Sequence, residues 1–380
     1  MEFKKYRLGE IATFSQGKQV DVKEQYATKR KDMKKFTRIV DYTNASEPVR
    51  YVENYGDRYF ASEDELVMIR YGSQTAGMAV MGKNGIIANN LFKINLDNDI
   101  VLNKYMYYYL SQKEIFNYLR SSQSSSTMPA ISFSIMNSLE IDIPSISYQK
   151  KSINILQKID RKIELNNQIN DNLQKFIRDF YKETFKNEQK KKKIKEVVEF
   201  SQGVQVPIEN QSEKYENGFI RFIRIVDLTQ GGKNNIRYIE NKDRGMVNYD
   251  DVFMIRYGSP GILGWNYKGI IANNLFKINP KNDETTKNYL YCYFNDEEIQ
   301  TYIKQNATSS TMPAINFSLL YDRLIAIPNK EKLLEFDRVI EITRLKLLEL
   351  SEENERLANL REILLPKLMN GEIDLDKIEV

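Results

Sequence analysis

The chain has no histidine and only one cysteine among its 380 residues. Without an imidazole there is no Ser-His-Asp or Cys-His triad, no His-liganded metal and no imidazole general base. The single thiol, Cys292, excludes an intrachain disulfide and a thiolate zinc cluster and suits a reducing compartment. Its YLYCYF setting reads as a buried apolar thiol. Apolar runs are short as well. None reaches the roughly 18–20 residues of a membrane span, and the opening MEFKKYRLGE lacks the apolar stretch of a secretory leader. A soluble cytoplasmic protein with no membrane partner is the expectation. Lys plus Arg number 56 against 52 Asp plus Glu, a net charge of +4, which permits a nucleic-acid partner without demanding one. With 41% hydrophobic residues the chain can bury a core, and its length suits more than one domain.

The first half of the chain recurs in the second with a shift of about 186 residues, falling to 184 after a small indel. FSQG stands at 14–17 and 200–203, RIVD at 38–41 and 224–227, and MIRYGS at 68–73 and 254–259. IIANNLFKIN stands at 86–95 and 270–279, and SSTMPAI at 125–131 and 309–315. This period is too long for a solenoid, so each copy is a domain in its own right.

Each copy ends at a proline, in IDIPS at 141–145 and IAIPN at 325–329, and a long stretch nearly free of Pro and Gly follows. Leu156, Ile159, Ile163, Asn166, Asn170, Leu173, Ile177 and Phe180 alternate by three and four, as do Leu333, Phe336, Ile340, Thr343, Leu347, Leu350, Asn354, Leu357 and Leu364, with Arg361 interrupting. This is heptad spacing, and a helix of about 37 residues would be roughly 55 Å long. Residues 146–195 carry 14 Lys/Arg against 6 Asp/Glu and residues 330–380 carry 9 against 13, so opposite charge favours pairing of the two helices. The polar core positions would fix register at some loss of stability. Two helices that each pack only on their own domain are the alternative.

The expected fold is α+β: two similar mixed α/β domains, 1–145 and 191–329, joined by a central helix (146–190) and a distal helix with its tail (330–380). Within the first copy, β-branched runs predict strands over Leu66–Arg70, Gly85–Ile94 and Leu139–Ile143. One amphipathic helix is expected over Asn103–Leu119, with Met106, Leu110, Ile115 and Leu119 inward and Tyr105, Tyr107, Tyr108 and Tyr109 as core rather than base-stacking residues.

No segment carries a catalytic centre. Gly72 and Gly77 have phosphate-loop spacing, but Met78-Ala79 stand where Lys and Ser/Thr are required. The acidic groups Glu63-Asp64-Glu65 and Asp250-Asp251 read as solvated turns, and Lys190 to Lys193 as a solvated linker. What repeats is a set of loops rich in cations, amides and hydroxyls, the groups that bond phosphates and base edges. Arg70 and Arg256 end strands with a planar fork suited to guanine or phosphate, or else pair with Asp41 and Asp227. Asn89-Asn90 and Asn273-Asn274 could read adenine or cap a turn. The candidate contacts are Gln16, Lys18, Gln19, Arg38, Arg70, Tyr71, Ser73, Gln74, Thr75, Asn89, Asn90, Ser125 and Thr127 in the first copy. In the second they are Gln202, Gln205, Arg224, Arg256, Tyr257, Ser259, Asn273, Asn274, Ser309 and Thr311.

These features together resemble the DNA specificity subunits of type I restriction-modification systems. The resemblance covers essentially the whole chain. It is carried by LGEIATFSQG and IKEVVEFSQG opening the copies, the glycine loop of MIRYGS, the endings STMPAISFSIMNSLEIDIPS and STMPAINFSLLYDRLIAIPN, and the terminal LREILLPKLMNGEIDL. Of the Pro-Leu-x-Glu-Gln that often follows the boundary proline in this family, only Gln149 and Glu331 are kept. The resemblance implies a non-catalytic reader of double-stranded DNA whose two target-recognition domains each bind half of a split site. It also implies an antiparallel coiled coil that sets the spacer and docks two methylation subunits, to which restriction subunits can attach. S-adenosylmethionine, ATP and magnesium would belong to those partners, and none to this chain. If antiparallel helices relate the copies by a pseudo-two-fold axis, the shared loops suggest partly similar half-sites. A subunit of a methylation-only system, and a coiled-coil scaffold that binds no DNA, remain the rival readings.

Overall fold

A computed structural model describes residues 3–44, 46–122, 130–229, 235–307 and 313–377. Two compact units emerge, one of residues 1–164 with 355–380 and one of residues 165–354.

Among its described residues the first unit carries ten strands: β1 (Lys4–Arg7), β2 (Ala12–Gln16), β3 (Lys34–Thr37), β4 (Arg50–Val52), β5 (Phe60–Ala61), β6 (Leu66–Ile69), β7 (Ala79–Met81), β8 (Gly85–Ile87), β9 (Leu91–Leu96) and β10 (Glu140–Ile143). They form sheets of order β2-β9-β6-β7 and β4-β3-β8-β5, with a separate β1-β10 ribbon. All pairs are antiparallel except β3 with β8. The second unit repeats this order strand for strand with β11 (Lys191–Lys193), β12 (Val198–Gln202), β13 (Phe219–Ile223), β14 (Arg237–Glu240), β15 (Met246–Val247), β16 (Val252–Ile255), β17 (Leu263–Gly264), β18 (Gly269–Ile271), β19 (Leu275–Pro280) and β20 (Leu324–Ala326). The duplication seen in the strings is thus a duplication of topology.

Several local expectations are revised. Gly85–Ile94 is not one strand: β8 and β9 lie in different sheets, separated by a tight turn at Asn89-Asn90 that closes with Leu91 N–H donating to the Ala88 carbonyl at 2.9 Å. Asn103–Leu119 is likewise two helices, Asn103–Leu110 and Lys113–Ser121. The break falls where Ser111 Oγ donates to the Tyr107 carbonyl at 2.7 Å and Gln112 Nε2 to that of Tyr109 at 3.1 Å, side-chain bonds that compete with helix continuation. Tyr105, Tyr108 and Tyr109 are buried as expected. Lys191–Lys193 form a strand rather than a linker, with Lys192 paired to Glu284 at 2.6 Å and Lys193 to Asp322 at 3.1 Å.

The acidic turns are not fully solvated either. Glu65 pairs with Lys93 at 3.1 Å, and the fully buried Asp251 pairs with Lys277 and Lys287, each at 2.7 Å. Burial alone would raise the Asp251 pKa, but hydrogen bonds from both lysines and from Asn248 N–H hold it below the ordinary carboxylate value. Cys292 is buried, and desolvation pushes its thiol pKa up.

The central helix runs unbroken over Ile146–Phe185 and the distal helix over Lys330–Met369, 40 residues each, about 60 Å at 1.5 Å per residue. Each unit takes one half of each helix. In the first unit, Leu156 shares a core with Leu368, Met369 and Leu375, flanked by Leu364, and Tyr148 Oη donates to the Ile373 carbonyl at 3.2 Å. In the second unit, Ile177 shares a core with Phe336, Ile340 and Leu347, with Leu173 against it, and the Phe180 and Phe336 rings stack at 5.4 Å. Within both units rising numbers on one helix meet falling numbers on the other, which is antiparallel pairing. Among the other expected seam residues Ile159 and Leu350 are buried, and Ile163 and Leu357 half-buried.

Two of the polar seam positions are bonded across the pair, whereas Thr343 Oγ1 donates to the Val339 carbonyl of its own helix at 2.8 Å and Asn170 Oδ1 is enclosed without a partner. Asn166 Nδ2 donates to Glu353 Oε2 at 2.8 Å and Asn354 Oδ1 at 2.9 Å, and Asn354 Nδ2 donates to Asn167 Oδ1 at 3.0 Å. Two of the described ion pairs join the segments. Asp160 of the central helix meets Arg361 of the distal helix at 3.0 Å, and Glu188 meets Lys332 at 2.6 Å, acid and base each lying on the segment of opposite net sign. Apolar burial and buried amides contribute to the pairing in both sequence and structure.

Candidate nucleic-acid interface

In each domain three loops converge where a strand leaves one sheet and joins the other. At Gly17 the chain exits β2: Gly17 N–H still bonds the Leu91 carbonyl at 3.0 Å, while Lys18 N–H bonds that of Ile87 at 2.8 Å. A side chain has no room at this crossing, because a Cβ on Gly17 would lie 2.1 Å from the Ala88 carbonyl oxygen, and one on Gly203 2.2 Å from that of Ile271. This is the physical reason for glycine in both FSQG strings.

The glutamine before that glycine reaches the Asn-Asn turn. Gln16 Nε2 donates to the Asn89 carbonyl, and Gln202 Nε2 to that of Asn273 at 2.7 Å. The glutamine after it meets the same turn from the other side, as Asn89 Nδ2 donates to Gln19 Oε1 and Asn273 Nδ2 to Gln205 Oε1 at 3.4 Å. Arg70 N–H and Arg256 N–H bond the carbonyls of Asn90 and Asn274, both at 2.9 Å. Asn90 Oδ1 and Asn274 Oδ1 are enclosed without a hydrogen-bond partner.

The two arginines do not pair with Asp41 and Asp227. Arg70 donates to Gln16 Oε1 and lies over the rings of Tyr71 and Phe133, at 5.2 and 5.3 Å. Arg256 lies over Tyr257 and Phe317, both at 4.9 Å, with Nε donating to the Ile315 carbonyl at 3.2 Å. The two aspartates belong instead to Arg38 and Arg224. Arg38 bonds Asp41 at 3.0 Å and Glu47 at 3.1 Å, and Arg224 bonds Asp227 at 3.2 Å and the Asn235 carbonyl.

Ser73, Gln74 and Thr75 follow Arg70 in a loop opened by Gly72 at φ +124° and closed by Gly77 at φ +90°, backbone that favours glycine. Arg120 Nη2 donates to the Ser73 carbonyl at 2.8 Å and Thr75 Oγ1 to that of Tyr71 at 3.1 Å. Tyr71 pairs with Ala130 and Tyr257 with Ala314. Ser259 sits half-buried in the matching second loop. Ser125, Thr127, Ser309 and Thr311 lie outside the described residues. Lys18 is half-buried, its ammonium 4.9 Å from the Tyr55 ring centre and 5.5 Å from that of Tyr59.

Gln149 was legible only as a motif remnant. It is fully buried, accepts from Leu102 N–H, and donates to the carbonyls of Ile100 and Pro144, each at 2.9 Å. It ties the start of the central helix to the domain before it. No group of acidic or thiol side chains that could hold a metal ion occurs among the described residues, nor any helix long and apolar enough to cross a membrane.

A duplicated mixed α/β domain, each copy followed by a long helix and presenting the same amide and guanidinium cluster, defines a class of two-domain, two-helix proteins. The model of the type I restriction modification DNA specificity domain matches residues 1–175 and 186–351, and the chain belongs to that family. The MjaIX type I restriction enzyme specificity subunit of Methanocaldococcus jannaschii is 25% identical over 336 residues, covering 80% of this chain and 76% of its own. The HindI specificity subunit of Haemophilus influenzae is 34% identical over 92 residues, 24% of this chain and 20% of its own. The crystal structure of the M. genitalium type I S subunit shares the fold, with a TM-score of 0.63 at 17% identity, covering 97% of this chain and 96% of the other.

Proposed function

We propose that the chain is the DNA-recognition subunit of a type I restriction-modification complex, itself non-catalytic, with each domain reading one half of a bipartite target in double-stranded DNA. The observation that carries this reading is the cluster built twice from the same residues: Gln16, Gln19, Arg70 and Asn89, then Gln202, Gln205, Arg256 and Asn273. Amides and a guanidinium held at the tips of rigid turns are the groups that read purine edges bidentately. Arg38 and Arg224, already held by carboxylates, serve to position the turn that follows β3 and β13. Two linked readers bind far more tightly than either alone, because the second engages at high effective concentration.

The long helices supply the spacing and the docking face. Leu165, Ile169 and Phe176 on the central helix and Leu334, Ile342 and Leu345 on the distal helix are exposed. They suit the apolar core of an interface with two methylation subunits, to which restriction subunits can attach in the cytoplasm. S-adenosylmethionine, ATP and magnesium belong to those partners. Co-expression with the cognate methylation subunits, followed by genome-wide mapping of modified adenines, tests the reading. A single split motif is expected, and modification at no fixed sequence would overturn it.

A further inference from the structure

We infer that the two domains read a common set of bases, so that the halves of the target share a sequence element, and that Lys18 with Tyr59 adds to the first half a preference the second lacks. This rests on the DNA-reading role proposed above.

Which residues are duplicated, and where they lie, separates reader from scaffold. Repeated buried residues such as Ile69 and Ile255, or Phe92 and Phe276, are what any shared core requires. Gln19 and Gln205 are exposed, and Gln16, Arg70, Asn89 and their counterparts half-buried. Packing does not dictate polar identity at such positions. They nevertheless keep their identity, and the glutamines keep their bonds to the Asn-Asn turn, although Arg70 donates to Gln16 Oε1 and Arg256 to the Ile315 carbonyl. The enclosed, unpartnered Oδ1 recurs in Asn90 and Asn274, a feature that folding alone does not reward. The exposed surroundings meanwhile drift. Asp21 becomes Pro207, Lys23 becomes Glu209, and Gln74 becomes Pro260. Two amide arrays bonded alike on the same turn, each beside an arginine, prefer the same bases.

The change inside the cluster is Lys18 to Val204. Tyr59 and Gly245 correspond, since Ile87 N–H bonds the Tyr59 carbonyl at 2.8 Å and Ile271 N–H that of Gly245 at 2.9 Å. In the first domain the Tyr55 and Tyr59 rings hold an ammonium donor beside Gln19. In the second, Val204 Cγ1 lies 3.4 Å from where a Gly245 Cβ would stand, and no donor is present on that side chain. A held lysine favours the guanine O6 and N7 acceptors, which valine cannot address.

Complexes of the wild-type chain and of Lys18→Val with their cognate methylation subunits would be compared by mapping modified sites and by competition binding. Lys18→Val installs the residue the second domain already carries at that turn, which keeps the backbone hydrogen bonds intact. The expected wild-type target has two halves that agree at most specified positions. The variant should leave the second half unchanged and lose about tenfold discrimination at one base pair of the first. A split target with unrelated halves overturns the shared reader, and an unaltered first half in the variant overturns the role of Lys18. Modification without sequence preference would instead overturn the underlying DNA-reading role.

Discussion

Replacing the buried amides of the helix pair should stabilise the second unit, and the size of the gain follows from what each amide bonds. Asn166 is fully buried; its Nδ2 donates to Glu353 and Asn354 while its Oδ1 is enclosed without a partner. An orphaned buried acceptor costs about 1–3 kcal/mol. Asn166→Leu removes that cost but leaves Asn354 Oδ1 without its donor, so the single variant should sit within about 1 kcal/mol of wild type. Adding Asn354→Leu removes the second orphan, and the exposed Asn167 turns to water. Two leucines then bury side chains worth about 1.5–3 kcal/mol each, offset in part by imperfect fit of the larger chains. The double variant should gain about 2–4 kcal/mol overall, or roughly 5–15 °C in melting temperature for a unit of this size. Denaturant unfolding of all four members of the cycle measures the gain and the coupling. The double variant should also lose uniqueness of register, as buried asparagines are register devices, which would appear as a broadened spacer in mapped target sites. A double variant no more stable than wild type would refute this account of the seam.

Arg70→Ala should reduce binding to the cognate target by about 1–3 kcal/mol, confined to one base position of one half-site. Competition with single-base variants checks this, and an equal loss on all sequences would mark a phosphate contact instead. Asp251→Asn should destabilise the second unit by about 3 kcal/mol, because it takes the partner charge from Lys277 and leaves Lys287 only the exposed Asp250, 2.7 Å away. The folded carboxyl titrates below its unfolded value. Its contribution is therefore complete above the unfolded carboxylate pKa and disappears as pH falls through the lower folded one. Acid unfolding should shift to higher pH in the variant, as circular dichroism would record. Ile342 and Leu345 are 70% and 50% exposed, so changing both to Asp should leave the melting temperature nearly unchanged. Co-purification with methylation subunits should nevertheless be lost, the outcome expected if these residues anchor the interface.

The repeat, the two long helices and the chemical character of the loops were legible because they are properties of order along the chain. A literal recurrence over about 186 residues means two copies of one topology, whatever that topology is. Heptad spacing fixes which side of a helix is apolar, and Leu156, Ile177, Phe336 and Ile340 took the seam accordingly. The tyrosine run was assigned to core by the same periodicity. Gln16 and Asn89 could be named separately as polar loop residues, but nothing in the sequence said that one amide would bond the other's turn.

That pairing was settled by the tertiary structure, as were the partners of Arg38, Arg70, Glu65 and Asp251. Arg70 and Arg38 stand equally near Asp41 in a reading by residue type. The short turn after β3 gives Asp41 to Arg38, three residues away, whereas Arg70, just past β6 in the other sheet, lies over the rings of Tyr71 and Phe133. Glu65 and Asp251 looked like solvated turn residues until opposed strands brought Lys93 and Lys277 against them. Periodicity is a one-dimensional property that a chain carries with it, whereas a hydrogen bond or ion pair needs two groups within about 3 Å, and only the folded path of the backbone decides which groups those are.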